Sequence, residues 1–200
     1  QRRLGKKNSI YFAFSLEGVF MFSDPLNLGQ IDAASIFDFL YEVFHTDFVA
    51  NKTYLANTVY INPQSYRKED NKECCFWHLT TREDKEQVWI NGRKSWISNG
   101  RLIDYGRASR LGWVKQILTS HDHEQIKLFY HQETNAKKNI RLYLWAHEVD
   151  FVVILQKLGK SSSFLVTSFY ITHDGKRKEY QQRYEYYCSN TEQFKNMLWF

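Results

Sequence analysis

The stretch CCFWHLTTRE, residues 74–83, sets His78 beside Trp77 at the point where a polar segment turns apolar. An imidazole there either packs as an ordinary half-buried side chain or moves a proton. Breaking a phosphodiester without a metal needs a general base, a general acid and cations over the non-bridging oxygens. When the substrate is RNA, its own 2′-hydroxyl is the nucleophile and the protein needs none. His78 can be base or acid, Arg107 and Arg110 can clamp the phosphate, and Glu148 can take a proton or orient an imidazole. Arg107 lies four residues before Leu111 and so on the expected apolar face of a helix, with Arg110 beside it. An arginine there demands an anion, either a ligand phosphate or a buried carboxylate such as Glu148. Thr167, Ser168 and Tyr170 add hydroxyls from a strand-like run; a period of two puts Ser168 and Tyr170 on one face and Thr167 on the other.

Other chemistries fit less well. HDHE at 121–124 and AHEVD at 146–150 offer His and carboxylate donors, but neither has the i,i+4 histidine spacing of HExxH or a cysteine partner, so no metal or other cofactor is expected. A GxSxG elbow is absent, and nothing in the sequence activates the adjacent Cys74 and Cys75. Three cysteines without a CxxC pair read as reduced thiols of a cytoplasmic protein. No run approaches the roughly 20 apolar residues that span a bilayer. The basic, then apolar start imitates a signal peptide, but Glu17 interrupts it and no small-residue cleavage site follows.

Composition points to a polyanionic partner. The chain has 17% aromatic residues, a net charge of +5 and a pI near 9.0, and residues 101–200 hold the whole positive excess. Cations interleaved with rings suit RNA, whose bases stack as its phosphates pair. Lys115, Lys127 and Arg141 are candidates for backbone contacts. Arg141, Tyr143, Trp145 and His147 alternate on one strand face, which is either the solvated side of a sheet or an RNA platform, with Ser168 a further contact. The platform keeps a non-catalytic nucleic-acid-binding protein as the alternative to an enzyme. An aromatic surface for binding another protein is a third reading.

The elements that must position these groups follow from periodicity. Residues 9–23 suggest a hairpin within an N-terminal extension, 1–30. Apolar residues recur at three- and four-residue spacing from Ile31 to about Ala50, an amphipathic helix. Asp104 can cap a helix carrying Leu111, Val114 and Leu118. Four runs, IKLFYHQE, IRLYLWAHE, DFVVILQKLG and FLVTSFYIT, predict an antiparallel meander. GKRKEYQQRYEYY and TEQFKNMLWF read as closing helices. The expected fold is α+β: a helix packed on a four-stranded antiparallel sheet within residues 31–187, followed by a tail, 188–200.

The series FWHLTTRE, YGRASRLGWVKQIL, RLYLWAHEVDFVVIL and FLVTSFYIT, ending in a basic, tyrosine-rich helix, resembles a prophage-associated bacterial family of the barnase/EndoU/colicin/RelE-like (BECR) ribonuclease superfamily. The matching positions are Phe76, Trp77, His78 and Thr80; Arg107 and Arg110; Trp145, Glu148 and Asp150; and Thr167 and Tyr170. The resemblance covers roughly residues 31–187. It implies metal-independent RNA cleavage to a 2′,3′-cyclic phosphate, with His78 and Glu148 handling protons, Arg107 and Arg110 stabilising charge, and Thr167 and Tyr170 positioning substrate. It also implies a toxin restrained by an antitoxin or immunity protein.

Overall fold

The computed structural model describes residues 21–134 and 138–200. Helix α1 (Ile36–Phe44) runs into a π-helical turn at His45–Ala50. Ile36, Leu40, Phe44 and Phe48 are buried at a strict four-residue spacing, which the wider turn maintains, and Phe48 packs 5.5 Å from the Phe44 ring. The N-terminal hairpin expected at residues 9–23 falls, up to residue 20, outside the described residues.

Strands β1 (Tyr54–Leu55) and β2 (Val59–Asn62) form a hairpin, as do β3 (Lys68–Glu69) and β4 (Lys72–Glu73). Helix α2 (Cys74–Thr80) follows at once, and then a long hairpin of β5 (Thr81–Ile90) and β6 (Arg93–Ile103). Its tip is Asn91–Gly92, with φ of 51° and 73°, the paired left-handed residues of a tight hairpin turn. Helices α3 (Tyr105–Ala108) and α4 (Leu111–Thr119) lead into β7 (Ile126–Gln132), β8 (Ile140–Ala146), β9 (Phe151–Leu158) and β10 (Ser162–Tyr170). Helices α5 (Asp174–Ser189) and α6 (Thr191–Phe194) close the chain.

The fold is mixed α+β around a curled sheet of six strands in the order β1-β2-β10-β9-β8-β7. The four meander strands pair antiparallel in sequence, but the expectation of a four-stranded, purely antiparallel sheet is corrected: β2 joins β10 in parallel and brings β1 with it. Val59 and Ile61 alternate as buried residues on β2, so the TYLANTVYIN segment finds its core by extending the sheet.

Both sheet faces are covered. α1 and α4 pack over Leu142, Leu144, Val153, Leu155 and Leu165. α5 covers the opposite face, where Phe129, Tyr143, Trp145, Val152 and Ile154 surround Tyr180. Burial on two sides explains the unbroken apolar run of β9. The tail belongs to this core as well: Phe194 and Trp199 are buried, and the Trp199 amide donates to the Tyr130 hydroxyl at 2.9 Å. Among the described residues no helix is long and apolar enough to cross a membrane.

β2 covers β10 only along Ser162–Phe164. Beyond that point α2 and α3 lie against the strand, and this junction holds most of the residues singled out in the sequence.

Candidate active site

Helix α2 is short and anchored at several points. Cys75, Phe76, Leu79 and Thr80 are buried, and the Trp77 indole donates to the Glu69 carbonyl at 3.0 Å while its ring meets Phe37. Glu73 precedes the helix, wholly buried, and accepts from the Tyr41 hydroxyl at 2.8 Å. Its burial acts upward on the carboxyl, but hydrogen bonds from Tyr41 and Ser65 and the Lys68 charge hold it below its ordinary value. Burial and Glu73 push the Tyr41 phenol up to about 12.

With those positions fixed, His78 falls in the last turn, facing a cleft of about 340 Å³ lined also by Gln64, Arg67, Cys74, Phe164 and Thr167. A helix C-terminus favours a charged imidazolium. Two opposing effects are larger here: desolvation in the cleft and the guanidiniums of Arg101, Arg107 and Arg67 lower the His78 pKa below the ordinary 6.5. His78 is therefore a neutral imidazole at pH 7, the state a general base requires.

Arg107 holds this junction together. Its Nη1 donates to the His78 carbonyl at 3.0 Å, the Thr81 carbonyl at 3.3 Å and Thr167 Oγ1 at 3.2 Å, while Nε lies 3.3 Å from Asp104 Oδ2. Thr167 Oγ1 in turn donates to the same His78 carbonyl at 3.2 Å. The helix expected from Asp104 through Ser120 is broken at Ser109–Arg110, so Arg107 leaves the Leu111 stripe and turns into the edge of β10. The break matches the expected cap: Asp104 Oδ1 accepts the Arg107 amide at 3.2 Å and starts a separate short turn. The anion that meets Arg107 is thus Asp104, not Glu148.

Arg110 stands at the far end of that turn, between the Tyr170 ring, 4.7 Å from its centroid, and the Trp113 ring at 5.1 Å. Its Nη1 donates to the Gly106 carbonyl at 3.0 Å. Tyr170 lies three residues beyond Thr167 on β10, roughly 10 Å along the strand. The register agrees with the expected faces. Ser168 and Tyr170 pair with Val153 and Phe151, which look toward α4, whereas Thr167, the first paired residue after a bulge, pairs with Ile154 of the opposite face. Ser168 is wholly buried and its hydroxyl has no partner among the described residues, so it does not face the cleft opening.

The remaining candidates lie elsewhere. Glu148, in the turn after β8, accepts from Gln125 Nε2 at 2.7 Å, beside the start of β7. Glu148 neither lines the cleft nor figures among the charges acting on the imidazole, so it does not join His78. Lys115 pairs with Asp47 at 3.0 Å, and Arg141 lies 3.6 Å from Glu133. Lys127 sits between the Trp145 and Tyr184 rings at 5.0 and 5.3 Å. His147 approaches the Glu124 carbonyl, and Arg177 donates to its own carbonyl. The alternating Arg141, Tyr143, Trp145 and His147 face is not an open platform, because α5 lies over it and leaves Trp145 1% exposed.

Sequence reasoning missed Arg67 and Arg101. Arg101 Nε donates to Thr81 Oγ1 at 2.6 Å and Nη2 to the Trp77 and Thr81 carbonyls, which places its charge on His78. The Asn91–Gly92 pair was the available signal, since that turn folds β6 back and returns Arg101 to the base of β5. No such signal marks Arg67, which lies in a polar stretch between two short strands. Among the described residues no group of three or more His, Cys, Asp or Glu side chains could hold a metal ion. No family model, curated protein or solved structure matches the chain.

Proposed function

We propose that the protein is an endoribonuclease that cleaves without a metal, leaving a 2′,3′-cyclic phosphate. The observation that carries this reading is the His78 imidazole in a cleft that Arg67 also lines, with Arg107 bonded to the His78 carbonyl at 3.0 Å and Arg101 to the neighbouring Trp77 carbonyl at 3.4 Å. RNA brings its own nucleophile, so this cleft needs only a base and cations to cleave it. In the proposed reaction His78 takes the proton of the 2′-hydroxyl as that oxygen bonds to phosphorus. The P–O5′ bond breaks on the opposite side, and the departing 5′-oxygen takes a proton from water. Arg67 and Arg107 offset the charge gathering on the non-bridging oxygens. Thr167 and Arg107 fix the backbone of His78, and Arg110 against Tyr170 presents a second cation and a ring about one nucleotide further along β10. Glu148 is left out of the centre. The role of a toxin restrained by an antitoxin comes from the sequence resemblance alone.

The test is incubation of the purified protein with total RNA in EDTA. Cleavage to fragments ending in cyclic phosphate is the expected result. Cleavage only after divalent metal is added overturns the mechanism, and RNA that stays intact but bound supports a non-catalytic binding protein.

A further inference from the structure

The β5–β6 hairpin is exposed along most of its length. Ten residues of β5 at about 3.3 Å each reach roughly 33 Å from α2. Trp89 and Trp96 near its tip are 68% and 65% exposed, far beyond what a two-stranded ribbon needs for its own stability. Residues directly opposite share a face, and the register is Lys85 with Ser98, Gln87 with Trp96, and Trp89 with Lys94. Both indoles and both lysines therefore lie on one face, which between Lys85 and Ser98 carries no carboxylate. Glu86 points to the other face with Val88, Ile90, Arg93, Ser95 and Ile97. Trp89 and Trp96 are diagonal neighbours, so their side chains start roughly 7–8 Å apart, about twice the thickness of a stacked base. Among the described residues no aromatic ring packs on either indole, while the Lys94 ammonium sits 5.6 Å from the Trp89 centroid.

We infer that this face is a binding arm for single-stranded RNA, feeding the strand toward the His78 cleft. Charge decides the occupant: Lys94 beside Trp89 has no carboxylate partner, Lys85 shares an exposed ion pair with Glu83 at 2.9 Å, and both flank two rings with no aromatic neighbour, the combination that stacks bases while pairing phosphates. Position supports it, because β5 begins at Thr81, directly after α2, and Arg101 at the ribbon's base faces His78. A protein partner or a second copy of the chain would be matched better by the Val88, Ile90 and Ile97 face. The inference rests on the proposed reading that RNA is the substrate, and it supplies where the strand is held outside the cleft.

The experiment uses a 2′-O-methyl oligouridylate of about 12 nucleotides, which cannot attack its own phosphate, so binding is read separately from cleavage. The full-length protein is expected to bind it with an affinity that falls steeply with salt. Trp89→Ala with Trp96→Ala should weaken binding about tenfold or more, and Trp89→Phe with Trp96→Phe should recover most of the loss. Lys94→Gln should reduce the salt slope. Cleavage of a dinucleotide should be unchanged by the tryptophan pair, while KM for long RNA rises. Unaltered oligonucleotide binding by the folded Ala pair overturns the arm, as does a wild-type dimer that the Ala pair converts to monomer with no oligonucleotide bound by either. Tight, tryptophan-dependent binding without any cleavage would keep the arm and remove the nuclease.

Discussion

Arg107 donates from Nη1 to the main-chain carbonyl of His78 at 3.0 Å, so the cation expected to meet a phosphate also fixes the residue expected to move the proton. The same nitrogen reaches Thr81 and Thr167, which ties α2, α3 and β10 through one group. Its side chain is 17% exposed, so these bonds are only partly screened by water.

Arg107→Ala should therefore cost both stability and activity. Removing a charged donor from three oxygens is worth on the order of 2–3 kcal/mol, a fall in Tm of roughly 5–10 °C for a domain of this size. Arg107→Lys keeps the charge but lacks the planar fork, and should recover less than half of the loss. Thermal melts of both variants check this. An unchanged Tm in Arg107→Ala would show that the hydrogen bonds are replaced by water.

The His78 imidazole gives a pH signature with a definite sign. Its folded pKa is depressed below the ordinary 6.5, so the unfolded chain binds the proton more tightly. Stability contributed by neutral His78 is complete above about pH 6.5 and is lost as pH falls from there through the depressed folded value. His78→Gln should flatten that part of the stability profile. Cleavage by the wild-type protein should stay level through neutrality and decline only below the depressed value, while His78→Gln should lose roughly a hundredfold or more at neutral pH, with the gap narrowing in acid. Denaturant titrations and single-turnover rates between pH 5 and 8 measure both.

Glu73 adds a second acid-sensitive element, with the same direction for a different reason. Its folded pKa is below the usual carboxylate value, so its contribution is present above the unfolded value and is lost as pH falls through the folded one. Glu73→Gln should remove this lower pH dependence and leave the Tyr41 hydroxyl with a weaker acceptor. Because Glu73 starts α2, the variant should also loosen His78, seen as a lower kcat in a protein that remains folded at 25 °C.

Much of the site was legible because its residues sit at element boundaries, where cap and strand signals are strongest. Asp104 as a cap, the meander and the separation of Thr167 from Ser168 and Tyr170 all follow from local rules that tertiary packing did not override. The misreadings share one cause: they concern which surfaces meet. Alternation on β8 cannot say that α5 covers Trp145, and a four-residue spacing cannot show that Ser109–Arg110 breaks the helix and redirects Arg107. Glu148 was grouped with His78 only by the sequence motif, and it has no part in lining the His78 cleft. The balanced charge of the first hundred residues also hid the Lys85 and Lys94 face, because Glu83, Asp84 and Glu86 offset Lys85, Arg93 and Lys94 in any count over residues 83–94.

Trp145 separates the covered sheet face from an RNA platform. At 1% exposure between Tyr180 and Lys127, its removal should leave a cavity under α5 and cost about 3–5 kcal/mol. Trp145→Ala should therefore lower Tm sharply, while oligonucleotide affinity measured well below the new Tm stays near wild type. A stable variant with weakened RNA binding would instead mean that α5 lifts off the sheet.

The two adjacent cysteines provide a chemical map of the cleft. Burial and Glu73 push the Cys75 thiol up to about 12, and it donates to the Pro63 carbonyl at 3.1 Å. Cys74 lines the cleft and is partly exposed, and Cys188 is exposed on α5. Maleimide at neutral pH should modify Cys188 and Cys74 while sparing Cys75 until the protein unfolds. An oligonucleotide seated over His78 should slow labelling of Cys74 and leave Cys188 unaffected, which peptide mass mapping resolves site by site. Equal protection of both thiols, or of neither, would place the bound RNA away from the cleft.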